Sequence, residues 1–196
     1  MFEKLISMAT GKNTIRASIA ALIFIVVMNI GSTAFFQFTH SIGILDTGGG
    51  ANLLDNRASG YSPEAAYDMI SAYGSQGIKY HLMLAVADVF FPPTLAFFLL
   101  LAITYFYAPF FQSRPLTRWL IVLPIVYLAS DYLENVGIVT MLLSFPTRMS
   151  GMARLANFMF MSKNLSSTIA IVVILVGLAL RTMQRQVLQK EPPARV

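Results

Sequence analysis

The stretch Ser-Asp-Tyr-Leu-Glu-Asn-Val-Gly-Ile, residues 130–138, places three polar side chains inside an apolar run that is long enough to cross a membrane. Asp131, Glu134 and Asn135 have the spacing i, i+3 and i+4, so they lie on one face of a helix. Carboxylates are costly at bilayer depth and tend to mark functional sites in membrane helices. We therefore expect the rest of the chain to be arranged around this polar face.

The composition predicts a membrane protein. The chain has 196 residues, of which 56% are hydrophobic and 12% charged, whereas a soluble domain carries about 25% charged residues. It contains no cysteine, which excludes disulfides, thiol redox chemistry, cysteine nucleophiles and cysteine-ligated zinc. The net charge of +5 comes from basic residues that flank the apolar segments. That placement is typical of topology signals, so we predict no nucleic-acid partner.

Four apolar segments each provide the roughly 20 residues that a membrane helix needs. These predicted spans cover residues of about 15–38, 80–106, 119–143 and 156–180. In the polar segment 40–79, Ser62, Pro63 and Glu64 occur in the order of an N-cap, a first helical position and a first turn, and Gly74 suits a helix end. We predict an all-α fold in one domain, residues 1–196. It is a four-helix transmembrane bundle with a short amphipathic helix in the first extracytoplasmic loop.

The loop charges predict the orientation of the bundle. Lysine and arginine are concentrated in the N-terminal segment, in the linker 108–118 and in the tail 181–196, and they are sparser in segment 40–79 and loop 144–154. By the positive-inside rule, both termini lie in the cytoplasm and segment 40–79 lies outside. We therefore expect a multi-pass protein of a bacterial inner (plasma) membrane, with membrane lipids as partners.

Every predicted span contributes a polar residue at a similar depth. With a rise of about 1.5 Å per residue, Asn29, Asp88 and Glu134 lie roughly 12 to 14 Å below the outer surface, and Lys163 lies about 10 Å below it. Asp131 is deeper, at roughly 18 Å, and the sequence names no partner for it.

The candidate catalytic or acid/base cluster consists of the ionisable residues within the spans, which are Asp88, Asp131, Glu134 and Lys163. An isolated buried charge is very costly. We therefore expect Lys163 to pair with one carboxylate, and at least one other carboxylate to hold a proton near neutral pH. The candidate binding residues are Asn135, His81, Asn29, Asn164 and Tyr80. Asn135 would orient its partners as a hydrogen-bond donor.

Simpler interpretations stay open. Asn29, Asn164 and residues 166–168 suit interhelical hydrogen bonds, worth about 0.6 to 2 kcal/mol each, better than they suit chemistry. His81 with the three acids offers an oxygen-rich ligand set of the kind that magnesium or manganese prefers, but without the spacing of a metal motif. We predict no metal and no cofactor.

Several short motifs occur in an order that resembles an uncharacterised family of small four-span integral membrane proteins. These motifs are Leu45-Asp46, Gly60-Tyr-Ser-Pro-Glu-Ala-Ala-Tyr67, Asp88-Val-Phe-Phe-Pro92, Asp131-Tyr-Leu-Glu-Asn135 and Lys163. The resemblance covers residues 45–165 and implies the same four-span fold, without implying an activity. One departure is the segment 75–79, Ser-Gln-Gly-Ile-Lys, where the family pattern implies Gly-Arg.

These features predict two functions of different kinds. The first is the binding, with or without acid/base conversion, of a small amphiphilic or lipid-like molecule at a site open to the extracytoplasmic side. The second is an accessory or structural subunit of a larger membrane complex or homo-oligomer, in which the polar face locks helices together. Proton-coupled transport is a weaker alternative, because four helices without a repeat leave little room for alternating access. Whether the protein is an enzyme stays open.

Overall fold

The computed structural model describes residues 2–16, 60–110 and 115–190, together with residues 19 and 23. These described parts of the chain contain helices and no strand. Three helical stretches are long and apolar enough to cross a membrane, namely Pro63–Phe110, Thr117–Ser144 and Ser150–Met183. They contain the predicted second, third and fourth spans. The predicted first span, 15–38, lies almost entirely outside the described residues, so the count of four stays a prediction.

The helices are α1 (Phe2–Met8), α2 (Pro63–Asp88), α3 (Phe91–Tyr107), α4 (Val122–Ser144) and α5 (Ser150–Lys190). Residues 11–16 are also helical. Two 3-10 helices, Ala108–Phe110 and Pro115–Ile121, lie between α3 and α4. α4 and α5 form the most extensively packed pair, and α3 packs against both.

The start of α2 follows from its sequence. The Ser62 side chain caps the helix by accepting a hydrogen bond from the Ala65 N–H at 3.2 Å, and Pro63 is the first helical residue. At Gly74 the helix is interrupted by a backbone conformation of φ 62° and ψ −178°, which favours a residue without a side chain. The interruption occurs where the sequence predicted a helix end. That the first part of α2 lies in an extracytoplasmic loop stays a prediction.

The apolar stretch from α2 into α3 is not one continuous helix. α2 ends at Asp88, and α3 begins at Phe91 after a two-residue turn. Pro93, in the first turn of α3, has no N–H with which to bond the Val89 carbonyl four residues earlier. The hydroxyl of Tyr132 on α4 donates a hydrogen bond to this carbonyl at 2.8 Å. The proline pair therefore interrupts the helical hydrogen bonding at a kink that α4 supports, while the backbone of the two turn residues keeps right-handed helical angles.

Two apolar clusters hold the helices together at different heights. One joins the start of α2 to the end of α4 and the start of α5, around Ile70 and Met141. The other joins α3 to the start of α4 and the middle of α5, around Ile103 and Tyr127. The polar face of α4 at residues 131–135 lies between these two clusters, because Tyr127 belongs to one and Met141 to the other.

Close backbone contact between α4 and α5 depends on a small residue. A Cβ atom placed on Gly137 would lie 2.9 Å from the Cβ atom of Ala156. Small residues at such positions let membrane helices approach closely. By contrast, a Cβ atom on Gly151 would have no neighbour within 4 Å.

These two glycines form a matched pair for testing the helix contact. We expect Gly137→Ala to lower the free energy of unfolding by about 1 to 3 kcal/mol, because the added methyl group overpacks the contact with Ala156. Gly151→Ala makes the same chemical change in open space and should leave stability unchanged or slightly higher, since alanine favours helix. Thermal unfolding in detergent micelles measures both. Equal effects of the two substitutions would contradict the close contact.

Candidate functional site

Five of the predicted site residues come together between the two apolar clusters. We call this group the polar layer, and it consists of Asp88 from α2, Asp131, Glu134 and Asn135 from α4, and Lys163 from α5. The i, i+3, i+4 spacing on α4 directs three of these side chains to the same side, as the sequence predicted. The layer therefore joins three helices at one height.

Lys163 bridges two carboxylates. Its Nζ atom lies 2.7 Å from Glu134 Oε2 and 3.2 Å from Asp131 Oδ1. The Glu134 side chain is fully buried, and that of Asp131 is 5% exposed. One lysine can reach both because residues three apart on a helix are separated by only about 4.5 Å along its axis. The expectation that Lys163 pairs with a single carboxylate is therefore corrected to two.

Asn135 links the remaining carboxylate to the layer. Its Nδ2 atom donates hydrogen bonds to Asp88 Oδ2 and to Asp131 Oδ2, each at 3.1 Å. Asn135 thus has the donor geometry that the sequence predicted, and it connects α2 to α4. Asp131 is not without a partner, as the sequence suggested, while its depth in a membrane stays a prediction. It lies at the centre of the layer, because Asn135 reaches back to it by one helical turn while Lys163 approaches from α5.

Two tyrosines of α4 belong to the site and were missed among the sequence candidates. Tyr127 is buried and precedes Asp131 by one helical turn, so the spacing 127, 131, 134 is the signal that identifies it. Tyr132 supports the break between α2 and α3 through its hydrogen bond to the main chain, and no sequence pattern indicates that contact.

His81 and Tyr80 lie apart from the polar layer. The His81 ring packs against Tyr73, with ring centroids 4.0 Å apart, and against Tyr80 at 5.6 Å. Seven residues separate His81 from Asp88, which is about 10 Å along a helix. The ring contacts of His81 therefore lie away from Asp88 along α2, and the roles of His81 and Tyr80 in binding stay predictions.

The remaining candidates also lie elsewhere. The Asn164 side chain is exposed. Ser166 Oγ donates to the Lys163 carbonyl at 3.0 Å, and Ser167 Oγ donates to the Asn164 carbonyl at 3.1 Å. Both hydroxyls therefore bond within α5, and the predicted interhelical role is wrong for these two serines. Asn29 lies outside the described residues.

The chemical capacity of the layer follows from its donors and acceptors. Carboxylates accept hydrogen bonds, while the lysine ammonium and the asparagine amide donate them. The contacts run from Asp88 through Asn135, Asp131 and Lys163 to Glu134 in an environment where such interactions are strengthened by low polarity. Within the described ranges, no group of three or more histidine, aspartate or glutamate side chains is placed to hold a metal ion.

Removal of the bridging cation should destabilise the protein. Lys163→Met keeps a long side chain but leaves Asp131 and Glu134 buried without their ammonium partner, so we expect a loss of about 3 to 5 kcal/mol at pH 7. The loss should shrink as the pH falls, because a protonated carboxyl needs no cation. Thermal unfolding in detergent across a pH series measures both effects.

Two controls accompany this substitution. Lys79→Met removes an exposed lysine of α2 and should change little. Combining Lys163→Met with Asp131→Asn and Glu134→Gln should restore most of the stability, because no uncompensated charge remains. If Lys163→Met alone unfolds like the wild type, the ion pairs do not support the fold.

No protein-family model, curated protein or solved structure matches this chain. The resemblance to small four-span membrane proteins therefore rests on the sequence motifs alone and stays a prediction. The geometry of the polar layer is the basis for any functional assignment.

Proposed function

We propose that this chain is an integral membrane protein whose polar layer binds a small amphiphilic or lipid-like molecule. The observation that most supports this is the position of the layer beside the break between α2 and α3. Missing helical hydrogen bonds at membrane depth are tolerated where the freed carbonyls find other donors or line a cavity. In transporters, interrupted helices form the substrate site. Here the break places Asp88, the last residue of α2, at the edge of the layer.

The burial of the layer supports a direction of approach. Asp88 and Asn135 are half-buried, whereas Asp131 and Glu134 are buried. A polar head group would therefore meet Asp88 and Asn135 first. Phe90, in the turn beside Asp88, is 67% exposed and offers an apolar contact for the rest of an amphiphile. Binding from the bilayer past this turn fits a ligand that is itself dissolved in the membrane.

The inner part of the layer is suited to proton transfer. Lys163 holds Asp131 and Glu134 within ion-pair distance, so a proton lost by one group has acceptors close by. Positioned carboxylates and amines are the usual general acids and bases of enzymes. Conversion of the bound molecule is an extension of the proposal, and binding does not require it.

The second candidate function is that of an accessory or structural subunit of a larger membrane complex. The continuity of the polar contacts favours it, because one chain of contacts ties α2, α4 and α5 together. Polar groups between membrane helices often serve only this purpose. In that case the layer sets the arrangement of helices, and no small molecule enters it.

Asp88→Asn separates these functions. It keeps an oxygen that can accept from Asn135 but removes the charge at the accessible edge of the layer. We expect the wild-type protein, purified in mild detergent, to carry a small amphiphile in native mass spectra. We expect the variant to retain about tenfold less of it, since a hydrogen bond to a charged group is worth about 1.5 to 3 kcal/mol.

Asp68→Asn is the matched control, because Asp68 is an exposed acid on the same helix and outside the layer. It should retain the ligand fully. A wild-type protein that binds no amphiphile, whether co-purified or added, would contradict the binding function. Equal ligand retention in Asp88→Asn and Asp68→Asn would show that the ligand does not bind at the polar layer. The structural function would then be favoured.

A further inference from the structure

A second polar feature lies at the opposite end of the bundle from the start of α2, near the end of the apolar part of α5. Arg181 is held there by Tyr105 of α3. The guanidinium carbon lies 3.8 Å from the centre of the Tyr105 ring, and Nη1 donates a hydrogen bond to the Tyr105 carbonyl at 2.8 Å. A guanidinium has five N–H donors in a rigid plane, so stacking on the ring gives the other donors a set direction.

Arg181 contacts no carboxylate in the parts of the chain that the structure describes. This distinguishes it from Lys163, which binds two. Arg181 is half-buried, fixed by an aromatic ring and hydrogen-bonded to a neutral carbonyl. Its guanidinium is therefore oriented to bind an anion from outside the chain. Arginine binds phosphate groups with two parallel hydrogen bonds, which suits this preset orientation.

The N-terminal segment passes close to the same tyrosine and carries a second basic residue. A Cβ atom on Gly11 would lie 3.0 Å from the Tyr105 hydroxyl oxygen, so this segment passes directly beside the ring. Lys12 follows and is exposed. Ile6 of α1 packs against the apolar cluster around Ile103, which fixes the segment at this end.

Exposed apolar residues at this end of the bundle suit a lipid better than a soluble anion. Trp119, in the 3-10 helix before α4, is 71% exposed, and exposed tryptophans at helix ends are typical of the lipid head-group region. Leu178, one turn before Arg181, is 46% exposed and would contact an acyl chain. Basic residues at this level attract anionic lipids.

We propose that Arg181, which is held by Tyr105, and Lys12, which lies in the segment that passes beside that tyrosine, bind the phosphate of an anionic phospholipid of the surrounding bilayer. Arg181 supplies the oriented hydrogen bonds and Lys12 a second positive charge. This site is separate from the polar layer and does not depend on its function.

The test uses the full chain in lipid bilayer discs made of phosphatidylcholine with added phosphatidylglycerol, followed by native mass spectrometry of the lipids that stay bound. We expect the wild type to retain phosphatidylglycerol in preference to phosphatidylcholine. Arg181→Met and Lys12→Met should each reduce that retention about fivefold, which is the effect of one basic residue on an anionic lipid. Arg154→Met removes an exposed arginine near the start of α5, at the other end, and should leave retention unchanged.

Three outcomes would overturn the proposal. They are a wild type without preference for phosphatidylglycerol, an equal loss in Arg154→Met, and displacement of the lipid by inorganic phosphate at low concentration, which would indicate a site for a soluble anion. If Arg181→Met does not fold, Arg181→Lys replaces it. That variant keeps the charge but loses the planar fork, so it should retain phosphatidylglycerol less well than the wild type.

Discussion

The contact of Lys163 with Asp131 and Glu134 is the interaction on which the helix arrangement depends. Removing charges from water is expensive, and a buried ion pair gains little net stability over apolar packing. Its effect is on register, because rotating or sliding α5 against α4 would leave carboxylates buried without a cation. The contact of Gly137 with Ala156 imposes a second constraint on the same pair of helices. Together, an ion pair and a small-residue contact define one way for α4 and α5 to pack.

The helix break and the polar layer form one structural unit. Tyr132 donates to the main chain at Val89, and Asn135, one turn further along α4, donates to the side chain of Asp88. Consecutive residues at the end of α2 are therefore held by two side chains three residues apart on α4. Pro93 alone would leave the Val89 carbonyl without its helical donor, which is costly inside a membrane. The break is tolerated because α4 supplies the missing donor, and the same face of α4 carries the acids.

The sequence predicted those features that depend on one helix at a time. The N-cap Ser62, the interruption at Gly74 and the shared direction of Asp131, Glu134 and Asn135 are local properties of backbone conformation and helical spacing. Pairing of Lys163 with a carboxylate also followed, because a buried charge needs a partner. The site was therefore predictable in its main residues.

Features that depend on two helices were not predictable in this way. An estimate of depth from residue counts assumes straight helices that all begin at the same membrane surface. It therefore put Asp131 at a different depth from its partners, which the long Lys163 side chain and Asn135 bring into contact with it. The proline pair did not indicate that Tyr132 would donate to the freed carbonyl, because Tyr132 lies on another helix. The hydroxyls of Ser166 and Ser167 could donate either to a neighbouring helix or to a carbonyl of their own helix. The composition of the segment does not distinguish these two hydrogen-bonding patterns.

The cost of the polar layer argues for a role beyond holding helices together. Asparagine or serine side chains can join membrane helices through hydrogen bonds at little desolvation cost. This chain instead places carboxylates and a lysine there, which is far more expensive in a bilayer. At the same height it also gives up helical hydrogen bonds at the turn after Asp88. The occurrence of both features at one place supports the proposed binding function, because a ligand there would contact polar groups beside a stretch of helix that lacks some of its own hydrogen bonds.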